Sequence, residues 1–148
     1  MIRAFYILTP GGVPIFYYDP VEKKDALDEA ILFTGLITAI QNFLIEVEIG
    51  APKQFTTNTR EVYIETTNCF GLVLVKDQSD EITSDDVEKL LKTLVKKLDI
   101  LIPDEPSCDF VDDAERLQIR RIVEKILPEW ENTIKESKAV KKMREGLW

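Results

Sequence analysis

Two short segments constrain this chain more than anything else in it. Ile2-Arg3-Ala4-Phe5-Tyr6-Ile7-Leu8 is apolar at both alternating sets of positions, with Ile2, Ala4, Tyr6 and Leu8 on one side and Phe5 and Ile7 on the other. Residues 69–76, Cys-Phe-Gly-Leu-Val-Leu-Val-Lys, repeat the pattern. Runs of this length are strand-sized, and successive side chains of a strand point to opposite faces. Both faces of both strands therefore have to be covered. That places them in the middle of a sheet with helices on each side.

The other segments fit around this requirement. Pro10-Gly11-Gly12 reads as a hairpin turn and residues 13–18 as the return strand, where Pro14 lacks a donor and so belongs on an edge. Residues 53–58 are weakly apolar and also suit an edge. Residues 61–66 alternate Val62 and Ile64 with Glu61, Tyr63 and Glu65, so one face is expected to be partly wet. Grading the strands by apolarity predicts a largely antiparallel sheet in the order 2-1-5-4-3.

Three helices are expected. The first spans 25–47 and carries two apolar stripes side by side: Ala30, Phe33, Ile37, Ile40, Leu44 and Val47, then Leu32, Leu36, Ala39 and Phe43. That is more apolar surface than one sheet face requires, so the helix is either buried nearly all round or part of it forms a binding groove. The second starts at Thr83, which can cap the Asp86 amide while Ile82 staples against Val87. Its core stripe is Val87, Leu90, Leu91, Leu94, Leu98 and Leu101. The third runs from about Asp112, and Pro128 is expected to kink or break it. The fold class is thus α+β, β-β-α-β-β-β-α-α, with the first helix on one face of the sheet and the C-terminal helices on the other. It forms one domain over residues 1–128 and a basic helical extension over 129–148.

Composition removes several functions. The chain has no histidine, which excludes Ser–His and Cys–His nucleophile pairs and His-ligated zinc. A net charge of −8 argues against a nucleic-acid binder. That charge is uneven: residues 77–115 carry 13 acids and 4 bases, and residues 116–148 carry 5 acids and 9 bases. Cys69 and Cys108 form neither a CxxC pair nor a disulfide framework. The simpler reading is a reducing compartment, hence a cytoplasmic location, peripheral to a membrane if the basic end contacts one, with Cys69 a buried thiol. Ala30–Ile45 is uncharged but shorter than a spanning helix, so no transmembrane segment is expected. Gly11-Gly12 precedes a strand and is turn chemistry, not a phosphate loop. The acids from Asp77 to Asp86 lack EF-hand spacing and read as a solvated helix start. No catalytic, cofactor or metal site is assigned.

The hairpin Ile2–Phe16, the helix core Leu32-Phe33-Thr34-Gly35-Leu36-Ile37-Thr38-Ala39-Ile40-Gln41-Asn42-Phe43 and the strand Gly71-Leu72-Val73-Leu74-Val75 together resemble the longin domain family, in particular its small single-domain archaeal members, over roughly residues 1–102. The related roadblock fold opens on a helix, whereas the first element here is a strand. The resemblance implies a non-enzymatic platform in vesicle trafficking and small-GTPase regulation, partnered by a GTPase or by another longin or roadblock chain. It also implies an apolar groove beside the first helix and third strand, which Phe33, Leu36, Ile40, Phe43 and Phe55 would line. No SNARE motif follows the domain, so a membrane-fusion role is not expected. At the basic end, Lys138, Lys141, Lys142 and Arg144 are candidates for contact with an anionic membrane or an acidic partner. The alternatives are a homodimeric structural or regulatory domain and, last, a small enzyme of unknown reaction.

Overall fold

A computed structural model describes residues 2–20, 26–67, 69–78, 82–101 and 113–146. Its elements are β1 (Ile2–Leu8), β2 (Pro14–Tyr18), α1 (Ala26–Glu46), β3 (Gln54–Thr56), β4 (Arg60–Thr66), β5 (Gly71–Asp77), α2 (Ser84–Leu98) and α3 (Asp113–Arg144). The five strands form one antiparallel sheet in the order β2-β1-β5-β4-β3. The two strands that are apolar on both faces are its two inner neighbours, as their patterns require.

Alternation along each strand sorts the core into two layers. Phe5, Ile7, Tyr63, Leu72 and Leu74 point to the side covered by α2 and α3, packing with Val87, Leu90, Leu91, Leu94, Leu98, Ile119, Val123 and Leu127. Leu8, Val62, Ile64 and Val73 point to the other side, under Ile37 and Phe33 of α1. The hairpin turn is locked onto α1 by a close approach. Gly12 has a φ of +88°, and a Cβ built there would lie 2.6 Å from the Thr38 hydroxyl oxygen.

Helix α2 begins as its sequence signals. The Thr83 hydroxyl accepts from the Asp86 amide at 3.3 Å, and the Thr83 amide donates to the Asp86 carboxylate at 2.9 Å, a complete capping box. Leu101 of the expected stripe is only half-buried.

The structure overturns one expectation, the thiol at Cys69, and refines others. The face of β4 carrying Glu61, Tyr63 and Glu65 is only partly wet, as its alternation suggests: Glu65 is half-buried, Tyr63 is buried against α2, and Glu61 is paired with a buried lysine, Lys76 Nζ to Glu61 Oε1 at 3.1 Å. Lys76 itself, on a central strand, is buried because this pairing and a bond to the Asp77 carbonyl meet its charge. Of the kink or break expected at Pro128, the break does not occur: α3 is one helix from Asp113 to Arg144. Pro128 is on the exposed side, where water can take up the carbonyl its missing N–H leaves unpaired. Finally, Cys69 is buried but is no thiol: it is disulfide-bonded. The chain's other cysteine, Cys108, lies outside the described residues. The argument from cysteine usage to a reducing compartment therefore no longer holds.

Candidate protein-docking surface

The two stripes of α1 have different fates. Ala30 and Ile37 are buried against the sheet, with Phe33, Ile40 and Leu44 half-buried beside them. Thr34 and Thr38 also face inward. Their hydroxyls donate to the carbonyls of Ala30 (2.7 Å) and Thr34 (2.9 Å), so both are buried without an unmet donor. The second stripe faces away from the domain: Leu32 is 75% exposed, Leu36 57% and Phe43 62%. Ile31 and Ile45 flank it, and the apolar band continues past the helix end through Val47 to Ile49. By length and composition, Asp28–Glu46 could cross a membrane, although its inner side is a layer of this domain's core.

The helix end that carries this band on is well formed. The Ile49 amide donates to the Leu44 carbonyl and the Glu48 amide to that of Ile45. Glu48 sits at φ 63°, completing a Schellman motif in which a glutamate holds the place usually taken by glycine. At the other half of α1, a cleft of 390 Å³ is lined by Tyr6, Glu29, Leu32, Phe33 and Leu36. Its floor is the Tyr6–Phe33 ring pair, with centroids 5.2 Å apart. Burial, then the nearby charges of Asp19 and Glu29, raises the Tyr6 phenol above its usual range. The cleft therefore offers an apolar wall and a neutral hydroxyl. Gly35, on the same face, has open space where a Cβ would be.

The five groove residues do not form a single surface. Leu36 and Phe43 project outward. Phe33 lines the cleft while leaning on Tyr6, Ile40 is half-buried, and Phe55 packs with the core beneath α1. The surface is an apolar ridge with a cleft at one end, more than a groove between α1 and β3. The edge strand β3 bonds only to β4 among the described residues, and Gln54 and Thr56 are exposed on it. Beside it a cleft of 250 Å³ carries Lys53, Glu65, Asp85 and Glu88. Helical spacing already marked Leu32 as a neighbour of Leu36 and Phe43. No periodic signal could have marked Ile49, which lies beyond the helix.

The basic end is likewise divided. Lys138 turns inward, its Nζ 2.8 Å from Asp86 Oδ2, which ties α3 to the start of α2. Partial burial alone would raise the Asp86 carboxyl, but the hydrogen bonds from Lys138 and Thr83 outweigh it and hold the group below its ordinary value. Lys141 lies 4.0 Å from Glu145. Lys142 and Arg144 are exposed beside Val140 and Met143. Among the described residues no group of three or more His, Cys, Asp or Glu side chains is placed to hold a metal ion.

No family model matches the chain. No curated protein matches it either. Solved structures do. MglB of Myxococcus xanthus superposes with a TM-score of 0.52 at 14% identity, over 66% of this chain and 80% of that one. A Roadblock/LC7 domain from Streptomyces avermitilis does so with a TM-score of 0.52 at 15% identity, over 66% of this chain and 82% of that one. The chain has a roadblock/longin-type fold. Within that fold, its outward apolar surface is on the helix that connects the first hairpin to the three-stranded meander.

Proposed function

We propose that this roadblock/longin-type chain is a protein-interaction domain without chemistry of its own. It docks the outer face of α1, together with the β3 edge, onto a small GTPase or a second longin or roadblock chain, as an adaptor in GTPase regulation or membrane traffic. The GTPase link rests on the longin resemblance of the hairpin, the helix core and the fifth strand. The single observation that carries the docking surface is the exposure of Leu32, Leu36 and Phe43 in one stripe. Contiguous apolar surface of this kind is costly to leave in water and marks an interaction site.

The size of the effect can be worked out for one residue. Phe43 exposes 62% of its surface. Taken on a side chain of about 200 Å², that is ~125 Å² of apolar area, worth ~3 kcal/mol if a partner covers it. Phe43→Asp is therefore expected to weaken the complex by a factor of about a hundred or more. It should leave the fold intact, because Phe43 is outside both core clusters.

Sedimentation equilibrium tests this, first on the chain alone and then with purified small GTPases, in GDP and GTP-analogue forms, or longin and roadblock domains. Binding of one of these proteins that Phe43→Asp abolishes supports the reading. Self-association abolished by the same substitution assigns the surface to a homodimer instead. A chain that stays monomeric with every candidate, or whose binding ignores Phe43→Asp, refutes the proposal.

A further inference from the structure

A second surface lies on the opposite edge of the sheet. Among the described residues β2 pairs only with β1, so its other side presents main-chain N–H and C=O groups that a further strand could take up. Helix α3 runs beside it. Between them is a cleft of 330 Å³ lined by Pro14, Phe16 and Tyr17 of β2 and by Arg116, Leu117 and Arg120 of α3.

The charge of this cleft stands out against the rest of the chain. The net charge is −8, yet the run from Arg116 to Arg121 holds three of the six arginines. The Arg120 guanidinium is held over the Phe16 ring, 5.7 Å from its centroid, which fixes where its charge lies. Its ion pair with Glu124 is long, at 3.7 Å, and exposed, so it competes weakly for that charge. Arg116 makes no ion pair among the described residues, and Leu117 between the two arginines is half exposed.

Spacing completes the argument. Arg116 and Arg120 are one helical turn apart, about 6 Å along the axis. Alternate residues of an extended chain, which share a face, are about 6.7 Å apart. Two carboxylates at positions i and i+2 of an added strand match the two guanidinium groups, and Arg–carboxylate pairing is directional. Pro14 cannot donate, so the amide donors that β2 offers to an added strand come from Ile15–Tyr18.

We propose that the β2–α3 cleft takes an extended acidic peptide of a partner protein, added as a strand on β2, with acidic residues two apart set against Arg116 and Arg120. This site is separate from the α1 face and does not depend on what docks there.

The test is an amide-shift titration of the ¹⁵N-labelled full chain with the peptide Thr-Glu-Val-Glu-Thr and its counterpart Thr-Gln-Val-Gln-Thr. The acidic peptide is expected to shift amides of residues 15–18 and 116–121, to weaken with added salt, and to bind about tenfold more tightly than the Gln peptide. Arg116→Gln/Arg120→Gln should lower its affinity about tenfold, as should Arg116→Gln in part, which leaves the Phe16 contact in place. Leu36→Asp should change nothing. The proposal is overturned by equal binding of the two peptides, by binding that ignores the arginine variants, by shifts confined to α1, or by no shift up to about 1 mM peptide. Concentration-dependent shifts at residues 15–18 without peptide would assign the edge to a second copy of the chain and overturn it as well.

Discussion

Replacing Lys76 with methionine keeps the length of a buried side chain and deletes its charge. In the folded chain the Lys76 and Glu61 side chains are 1% and 14% exposed and 3.1 Å apart. Lys76 also donates to the Asp77 carbonyl at 3.1 Å. Removing one member of a buried pair costs about 3–5 kcal/mol, because the other charge is left uncompensated. Glu61 keeps one partner, the Tyr63 hydroxyl at 3.3 Å from each oxygen. Together with its slight contact with water, this puts the cost at the lower end, about 3 kcal/mol. For a chain of this size that corresponds to a fall in Tm of about 10 °C.

Lys76→Met/Glu61→Leu removes both charges and is expected to recover most of the loss, giving a coupling energy of about 2–3 kcal/mol in the double-mutant cycle. Urea unfolding followed by circular dichroism measures all four proteins. The tyrosinate absorbance supplies an independent reading. Burial first, then the Glu61 charge and hydrogen bond, pushes the Tyr63 phenol up to about 12, and it should titrate lower without Glu61. If Lys76→Met lies within about 1 kcal/mol of the parent protein, the pair behaves as a surface pair and the reasoning fails.

Gly12→Ala should destabilise by about 2–3 kcal/mol, because the new Cβ meets Thr38 in a backbone of positive φ; adding Thr38→Ala should recover only the steric part, as urea midpoints would show. Glu48→Gly should stabilise by about 1 kcal/mol, since a side chain now occupies a left-handed position at φ 63°; thermal melts measure it. The Asp77 carboxyl is held below its ordinary value chiefly by the hydrogen bond from Arg3, helped by the Arg3 and Arg60 charges. Because the folded value lies below the unfolded one, its contribution is present above the unfolded value near 3.9 and is lost as pH falls through the folded value. Asp77→Asn should therefore lower stability at neutral pH and flatten the acid limb of the stability curve. Reducing the disulfide at Cys69 should cost about 2–4 kcal/mol, read as a drop in the urea midpoint on adding a reductant.

Much of this fold was legible because backbone geometry imposes short periods on the sequence. Two-sided apolarity in Ile2–Leu8 and Gly71–Val75 can only be met in the middle of a covered sheet, and from that the strand order followed. Thr83 and Asp86 announce a helix start because both partners of the capping box lie within one turn. Lys76 was not legible in this way. Its partner Glu61 is on another strand, and a lysine at the end of an apolar run looks like the strand's exit to solvent. The disulfide at Cys69 was not legible either, because nothing local to residue 69 reports a bonded partner.

The docking surface divides along the same line. The sequence determined that α1 carries two apolar stripes, since helical spacing alone groups Ala30, Phe33 and Ile37 apart from Leu32, Leu36 and Phe43. It could not determine which stripe the sheet covers, because both satisfy the same period. Only the tertiary structure decided that. The sheet has room on that face for one stripe, and Thr34 and Thr38, with hydroxyls satisfied inside the helix, go with it, so that Leu32, Leu36 and Phe43 remain in water.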